Sequence, residues 1–191
     1  ALLLSIAPLC PSSVLEVFER AAPRSDSDEF LTSDIVRRQR WVWLLRALAY
    51  APASFDRAAA LLARLCAANV GQRDHSNGRS SFEELFHIVL SGTRARVEQR
   101  IAIVRNLSEH TSTEFRELAL VALGGLLQTG HFTSSHDFSF GARSRDFGWH
   151  PTTNEDLANW YRAALALAEE FCQKGSPFRL KTRAMLARHF R

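Results

Sequence analysis

The chain has 191 residues, 46% of them hydrophobic, and a formal net charge of +4. This length and composition are typical of one globular domain with a substantial core, and they argue against disorder on any large scale. The three cysteines, Cys10, Cys66 and Cys172, are too few and too far apart for a disulfide framework, so we expect a cytoplasmic protein.

The first ten residues are apolar and have no basic residue before them. A secretory signal peptide starts with a charged region, and ten apolar residues are too few to cross a bilayer. We therefore expect the segment from Ala1 to Cys10 to be a trimmed helix. The whole chain, 1–191, is predicted to be a single helical domain from a larger protein, without a membrane partner.

After a short amphipathic stretch (11–22) and a polar break (23–28), apolar residues recur at helical spacing. The first stripe predicts a helix between Asp34 and Pro52, and Ser54 is a typical N-cap for a second helix. Because the link is short, the two should form an antiparallel pair over about 34–68. The stripes are Trp41, Leu44, Leu45, Leu48 and Ala49, then Phe55, Ala58, Ala59, Leu62, Leu65 and Cys66.

A second pair is predicted over about 82–108, after a loop at 69–79 that is rich in glycine and polar residues. Ser80 or Ser81 would cap its first helix, which should run through Val89 and end near Gly92. Thr93 is the predicted N-cap of the next helix. The apolar stripe of that helix is Val97, Ile101, Val104 and Leu107.

A third pair is predicted over about 113–172. Its first helix, 113–127, has so few polar residues that we expect it at the centre of the core. Gly124 and Gly125 each cost a helix about 1 kcal/mol relative to alanine, and close contact with another helix would offset that cost. The second helix should start at Thr152 or Thr153, and its predicted inner face is Leu157, Trp160, Tyr161, Ala164, Ala168, Phe171 and Cys172.

A basic helix at 177–190, with no acidic residue from 174 onward, completes the chain. The predicted fold is thus all-α, with antiparallel helix pairs that form a HEAT-like α-solenoid fragment and one long ordered loop near 130–151.

That loop is the best candidate binding site, because long loops in compact domains are usually functional or packed down by their own side chains. Phe138, Phe140 and Trp149 have rings that stack on bases or seat a peptide, and Arg143 and Arg145 pair with phosphate or carboxylate. The alternative is a structural plug, in which the rings fold back over helix ends and Asp137 or Asp146 pairs the arginines.

The last helix is the second candidate site. Arg179, Lys181 and Arg183 lie off its apolar stripe, where they would dock on phosphates or on an acidic partner helix. The apolar stripe itself is formed by Phe178, Thr182, Met185 and His189. A cap on the end of the solenoid explains the same pattern.

No catalytic or cofactor motif is present. The chain lacks a phosphate-binding Gly-x-x-x-x-Gly-Lys-Ser/Thr loop and a Gly-x-Ser-x-Gly nucleophile elbow. His131, His136, Asp137 and His150 have the chemistry of zinc ligands, but their spacing matches no compact ligand motif. A base glycosylase would need a carboxylate beside an aromatic cleft, and Asp146 near Trp149 is the one candidate. We therefore expect no enzymatic activity, no cofactor and no metal.

The stretches Arg40–Pro52 and Phe55–Leu65, with the loop and helix from Leu90 to Leu107, resemble the helical-repeat region of large bacterial STAND-type NTPases and related antiviral conflict proteins. The resemblance covers about 37–165 and consists of apolar spacings and turns. It implies a HEAT-like or tetratricopeptide-like region that serves recognition, autoinhibition or assembly beside an effector module.

The predicted function is that of a non-catalytic interaction or sensor scaffold in a larger bacterial protein. Its partner would be another protein or other modules of the same parent chain. The alternative is a nucleic-acid-binding helical domain that uses the 130–151 loop and the basic C-terminal helix.

Overall fold

The computed structural model describes residues 5–21, 35–68, 78–134, 139–141 and 144–189, with the backbone alone at 35–38. It gives bounds for eight α-helices, so the all-α fold is confirmed for these residues. The helices are α1 (Pro11–Ala21), α2 (Ile35–Leu48), α3 (Pro52–Ala67), α4 (Gly78–Glu84), α5 (Val97–Ser108), α6 (Thr113–Leu127), α7 (Asn154–Cys172) and α8 (Arg179–His189).

Helix α6 lies at the centre of the described structure. It contacts α3, α4, α5, α7 and α8. Leu123, Leu126 and Leu127 on it are fully buried, as is Ala122. The nearly continuous apolar sequence of α6 predicts this position, because a helix that is apolar on most sides can bury those sides only by packing against several neighbours. The prediction is confirmed.

The two glycines of α6 have different surroundings. A Cβ at Gly125 would lie 2.8 Å from the carbonyl oxygen of Glu83 and 3.1 Å from the Cβ of Phe86, so α4 packs there against bare backbone. A Cβ at Gly124 would meet no atom closer than 3.8 Å, which is ordinary van der Waals contact. The predicted close helix contact therefore holds for Gly125 and is wrong for Gly124.

The predicted starts of α3 and α5 are wrong, and so is the predicted cap of α4, because Ser80 and Ser81 lie inside that helix, which begins at Gly78. The N-cap of α3 is Ala51, because the Ser54 hydroxyl donates to the carbonyl oxygen of Leu48 at the end of α2. The N-cap of α5 is Arg96, without a side-chain hydrogen bond, because the Thr93 hydroxyl accepts from the backbone N–H of Ala95 at 3.1 Å. In both places a local hydroxyl contact replaces the expected cap.

Helix α4 differs most from its prediction. It starts at Gly78 and ends at Glu84, whereas the apolar pattern predicts a helix through Val89. Residues 85–96 form no helix, and Leu90 has a positive φ of 56°. The carbonyl oxygens of Leu85 and His87 accept hydrogen bonds from Arg100 instead of from the next helical turn.

The start of α7 is confirmed. Thr153 is its N-cap, and the hydroxyl of Thr153 and the carboxylate of Asp156 form a capping box. Its inner face is confirmed at Trp160, which is fully buried, but Leu157 is 41% exposed and does not belong to it.

The cysteines do not share one environment. Cys10 is exposed, whereas Cys66 and Cys172 are half-buried. Burial raises the pKa of Cys66 to about 12, so its thiol is uncharged and poorly nucleophilic at neutral pH.

No helix in the described ranges combines the length and the apolar character needed to cross a membrane.

Candidate functional site

The side chain of Arg100, on α5, is fully buried and organises the non-helical stretch that precedes α5. Its guanidinium donates to the carbonyl oxygens of Leu85 at 2.9 Å, His87 at 2.6 Å and Ala95 at 3.0 Å. It also donates to the Ser91 hydroxyl at 3.1 Å. These hydrogen bonds from Arg100 hold the backbone of 85–95 in place. Without them each accepting oxygen would be buried and unpaired.

A second buried arginine, Arg46 on α2, reaches the same stretch. It donates to the Ser91 carbonyl oxygen and pairs with Glu84 at 3.2 Å. Arg100 donates to no carboxylate among the described residues. Burial, and to a lesser extent Arg46, lower the pKa of Arg100 to about 9, since both disfavour the charged form.

A tryptophan pair joins this buried cluster to the 144–152 segment. Arg100 lies over the ring of Trp160, 4.9 Å from its centroid, in a cation–π contact. Trp149 stacks on Trp160 with 5.4 Å between ring centroids and 14° between planes. The indole N–H of Trp160 donates to the carbonyl oxygen of Leu126 on α6 at 2.9 Å, so the stack is anchored to the central helix.

The backbone of the segment lies directly against 92–93. The N–H of Gly92 donates to the Phe147 carbonyl oxygen at 2.9 Å, and the N–H of Trp149 donates to the Thr93 carbonyl oxygen at 2.7 Å. Gly148, between these two bonds, has a φ of +91°, and a Cβ there would lie 2.5 Å from the N and O of Thr93. Only glycine combines a positive φ with the absence of a Cβ, so no other residue fits this position without strain.

Asp146 lies at the centre of an exposed polar cluster near the start of the 144–152 segment. It accepts hydrogen bonds from the Tyr50 hydroxyl at 2.8 Å, from the Gly148 N–H at 3.0 Å and from Arg94. The bond from Tyr50, followed by the bond from Arg94, holds the pKa of Asp146 below its ordinary value. Asp146 is therefore favoured in its charged form and anchors the segment through these hydrogen bonds.

Arg145 is held by a different set of contacts. It donates to the Ala47 carbonyl oxygen near the end of α2 at 2.6 Å, where the helix dipole favours a cation. Its guanidinium lies 4.4 Å from the ring centroid of Tyr50 and 4.2 Å from that of Phe140. Phe140 is itself buried. Both side chains are thus engaged within the fold.

A groove of about 740 Å³ opens beside Trp149, where α3, α5 and α7 begin. Its lining includes cations (Arg94 and Arg96) and carboxylates (Glu98 and Asp146) in addition to the ring of Trp149. We call it the docking groove. The remaining lining residues are Pro52, Val97, Gly148, His150, Thr152, Asp156, Asn159 and Trp160.

The residues predicted as binding residues fall into three groups. Phe138 and Arg143 lie outside the described residues. Arg145 lies over the rings of Tyr50 and Phe140, and Trp149 lines the docking groove. The three predicted on α8 line no part of the docking groove, and one of them, Lys181, is paired with Glu117 on α6; the others are Arg179 and Arg183.

The candidate metal ligands do not meet in the described part of the chain, where no three histidine, cysteine or acidic side chains gather. His131 and His150 are described, whereas His136 and Asp137 lie outside the described residues. The ring of His150 instead contacts the Gly148 carbonyl oxygen at 3.2 Å through Nδ1.

Sequence reasoning missed the organising role of Arg100, to which it assigned no function. The signal was present, because Arg100 follows Val97 by three residues and precedes Val104 by four, which places it on the apolar stripe of α5. A charged residue on such a stripe predicts a buried, hydrogen-bonded side chain.

Comparison of the chain with protein-family models, with curated proteins and with solved structures gives no match. The geometry of this chain therefore carries the functional argument.

Proposed function

We propose that this protein is a non-catalytic interaction scaffold that binds an extended segment of a partner protein in the docking groove. The observation that carries the proposal is the mixed charge of the groove lining beside the ring of Trp149. The cations are Arg94 and Arg96, and the carboxylates are Glu98, Asp146 and Asp156. Tryptophan and arginine are enriched at the energetic centres of protein interfaces, and charges of both signs give such an interface its register.

The same pattern disfavours a phosphate backbone as the occupant. Nucleic-acid grooves gather cations because each phosphate is negative, and a carboxylate such as Glu98 on the groove wall would repel it. Arg145, which belongs to the aromatic segment, already donates to the Ala47 carbonyl oxygen and stacks between two rings. Its guanidinium is thus engaged away from the groove.

We further propose that the scaffold belongs to a larger bacterial defence protein and has the HEAT-like, STAND-associated architecture that the sequence resembles. The support is the residue pattern of 37–165 together with the packing of consecutive helices there, α2 on α3 and α5 on α6. In this proposal the protein acts in the cytoplasm, and its partner is a separate protein or another module of the parent chain.

Selection of random peptides displayed on phage tests the docking groove. Peptides that bind the wild-type chain are expected to lose binding on Trp149→Ala and to lose or invert their charge preference on Arg96→Glu. Trp43→Ala is the matched control, because Trp43 is 52% exposed on α2 and does not line the groove. The proposal fails if the selected peptides bind the Trp149→Ala and Arg96→Glu variants as well as the wild type.

The second candidate function is nucleic-acid binding, which one observation on α8 favours. Arg183 and Arg188 are exposed and form no ion pair with any described residue, and 174–191 contains no acidic residue. Fluorescence anisotropy with labelled single-stranded and duplex DNA and RNA at about 50 and 200 mM salt separates the two functions. Binding that falls steeply with salt and is lost on Arg183→Glu would replace the protein-docking proposal.

A further inference from the structure

A cleft of about 370 Å³ lies between α4, α6 and α8 and shares no lining residue with the docking groove. Leu120, Val121 and Gly124 of α6 and Met185 of α8 give it an apolar floor. Charged side chains stand around this floor. A volume of this size lies at the small end of ligand pockets, which start at about 300 Å³.

Gly124 keeps the floor open. The atoms nearest to a Cβ built on Gly124 are Oε1 of Glu83 and Cε and Sδ of Met185, all at 3.8 Å. The packing of α4 on α6 therefore requires glycine at 125, where a Cβ would meet backbone at 2.8 Å, but not at 124. The missing side chain at 124 weakens the helix, and its structural effect is to enlarge the cleft.

The carboxyl group of Glu83 borders this opening. It is partly buried and accepts no hydrogen bond from any described residue. Burial raises its pKa, and the nearby charge of Arg79 only partly opposes that shift. No described group therefore donates a hydrogen bond to the Glu83 carboxylate. A cation bound in the cleft could donate one and would stabilise the charged form.

The rim of the cleft contains positively charged side chains, opposite in charge to Glu83. Lys181 pairs with Glu117, which ties α8 to α6 at one side of the cleft. Arg188, also on the rim, forms no ion pair with any described residue and can bind an anionic group. A ligand in this cleft therefore meets the carboxylate of Glu83, with Arg79 nearby, and an apolar surface, and it meets the exposed guanidinium of Arg188 on the rim.

We propose that this cleft binds a small zwitterion with an apolar chain, of the α-amino-acid class. Its ammonium group would donate to Glu83, its chain would lie on Leu120 and Met185, and its carboxylate would pair with Arg188. A simple amine would leave Arg188 without an anion and would be repelled by it, and a simple carboxylate would be repelled by Glu83. This inference is independent of the docking groove and of its partner.

Isothermal titration calorimetry of the full chain with three probes tests the proposal. Norleucine carries both charges and an apolar chain, pentylamine lacks the carboxylate, and pentanoate lacks the ammonium group. Norleucine should bind at least about tenfold more tightly than either of the others, because it alone satisfies both ends of the site. Pentylamine or pentanoate binding as tightly as norleucine, or no heat from any of the three probes, would overturn the proposal.

Two variants identify the site. Glu83→Gln should weaken norleucine binding about tenfold, whereas Glu169→Gln, on an exposed position of α7, should not change it. Gly124→Leu should fill the floor and abolish binding, and Gly124→Ala shows by its unchanged or higher melting temperature that the helix accepts a side chain there. Norleucine that binds wild type and Glu83→Gln equally well refutes the assignment, even if Gly124→Leu does not fold.

Discussion

Two arginine clusters lie close together in this protein and are stabilised in different ways. Arg100 is fully buried and contacts carbonyl oxygens, a hydroxyl and the ring of Trp160. The side chain of Arg94 is 58% exposed and pairs with Asp146, whose side chain is 46% exposed. A buried guanidinium that loses its position leaves several unpaired oxygens, whereas water replaces the contacts of an exposed ion pair.

Thr93 joins the two clusters. Its carbonyl oxygen accepts from Arg100 at 3.4 Å and from the Trp149 N–H at 2.7 Å. The hydroxyl of Tyr50 donates to Asp146, and the backbone carbonyl oxygen of Tyr50 accepts a hydrogen bond from the backbone N–H of Arg94. The docking groove therefore depends on the buried cluster for its position, whereas the exposed cluster contributes only to its rim.

The largest expected effect is that of Arg100→Met. The change removes the donors to Leu85, His87 and Ala95, so we expect a loss of about 3–5 kcal/mol in the free energy of unfolding. Urea denaturation followed by circular dichroism measures it. Arg105→Met is the matched control on the same helix, because Arg105 forms an exposed ion pair with Glu170 and should cost less than about 1 kcal/mol. Equal losses for the two variants would remove the distinction between the clusters.

A second prediction concerns acid stability. His87 is buried beside Arg46 and Arg100, and burial, followed by these two charges, lowers its pKa to about 4 from 6.5. The unfolded chain binds this proton more readily, so stability is full above about pH 6.5 and falls by roughly 3 kcal/mol as the pH drops toward 4.

Urea midpoints measured across this pH range check the His87 prediction. His87→Gln should flatten the profile between about pH 6.5 and 4.5, whereas His110→Gln, at an exposed position, should keep the wild-type shape. A wild-type profile that is already flat in that window would show that the buried cluster accepts a further positive charge without cost.

The third prediction concerns a substitution that disrupts the contact between the two clusters. Gly148→Ala places a Cβ 2.5 Å from the N and O of Thr93 at a φ of +91°, so the 144–152 segment must move away from 92–93. We expect a loss of about 1–3 kcal/mol and faster hydrogen exchange at the Trp149 amide. Gly130→Ala, where a Cβ meets nothing within 4 Å, is the control that should change neither quantity.

The smallest effect is expected at the exposed cluster. Asp146→Asn weakens the pair with Arg94 and should cost at most about 1 kcal/mol, less in high salt, because both partners are solvated. Thermal unfolding at low and high salt measures this. A loss as large as that of Arg100→Met would mean that the segment, and not the buried cluster, holds the fold together.

The sequence predicts the helices best where the apolar pattern is regular. The stripes of α2, α3 and α5 are confirmed at Leu44, Leu62 and Val104, all buried, and the central position of α6 is confirmed as well. The cap of α7 at Thr153 is also confirmed, since a capping box involves residues only three positions apart.

The candidate site was less predictable. Trp149 was identified from its place in an aromatic loop, and it does line a groove. The use of Arg145 as a packing residue depends on Tyr50, almost a hundred positions away in the chain. No local pattern distinguishes an arginine that grips a ligand from one that stacks between two rings of its own fold.

The sequence alone determined the all-helical fold, the apolar face of most helices and the absence of a phosphate-binding motif, because these follow from spacings of a few residues. Only the tertiary structure decided where α4 ends, which of Gly124 and Gly125 is required, and that Arg100 points inward. Each of these depends on the free energy of contacts between distant segments, such as Arg100 with Leu85 and Trp160, which outweighs local propensity.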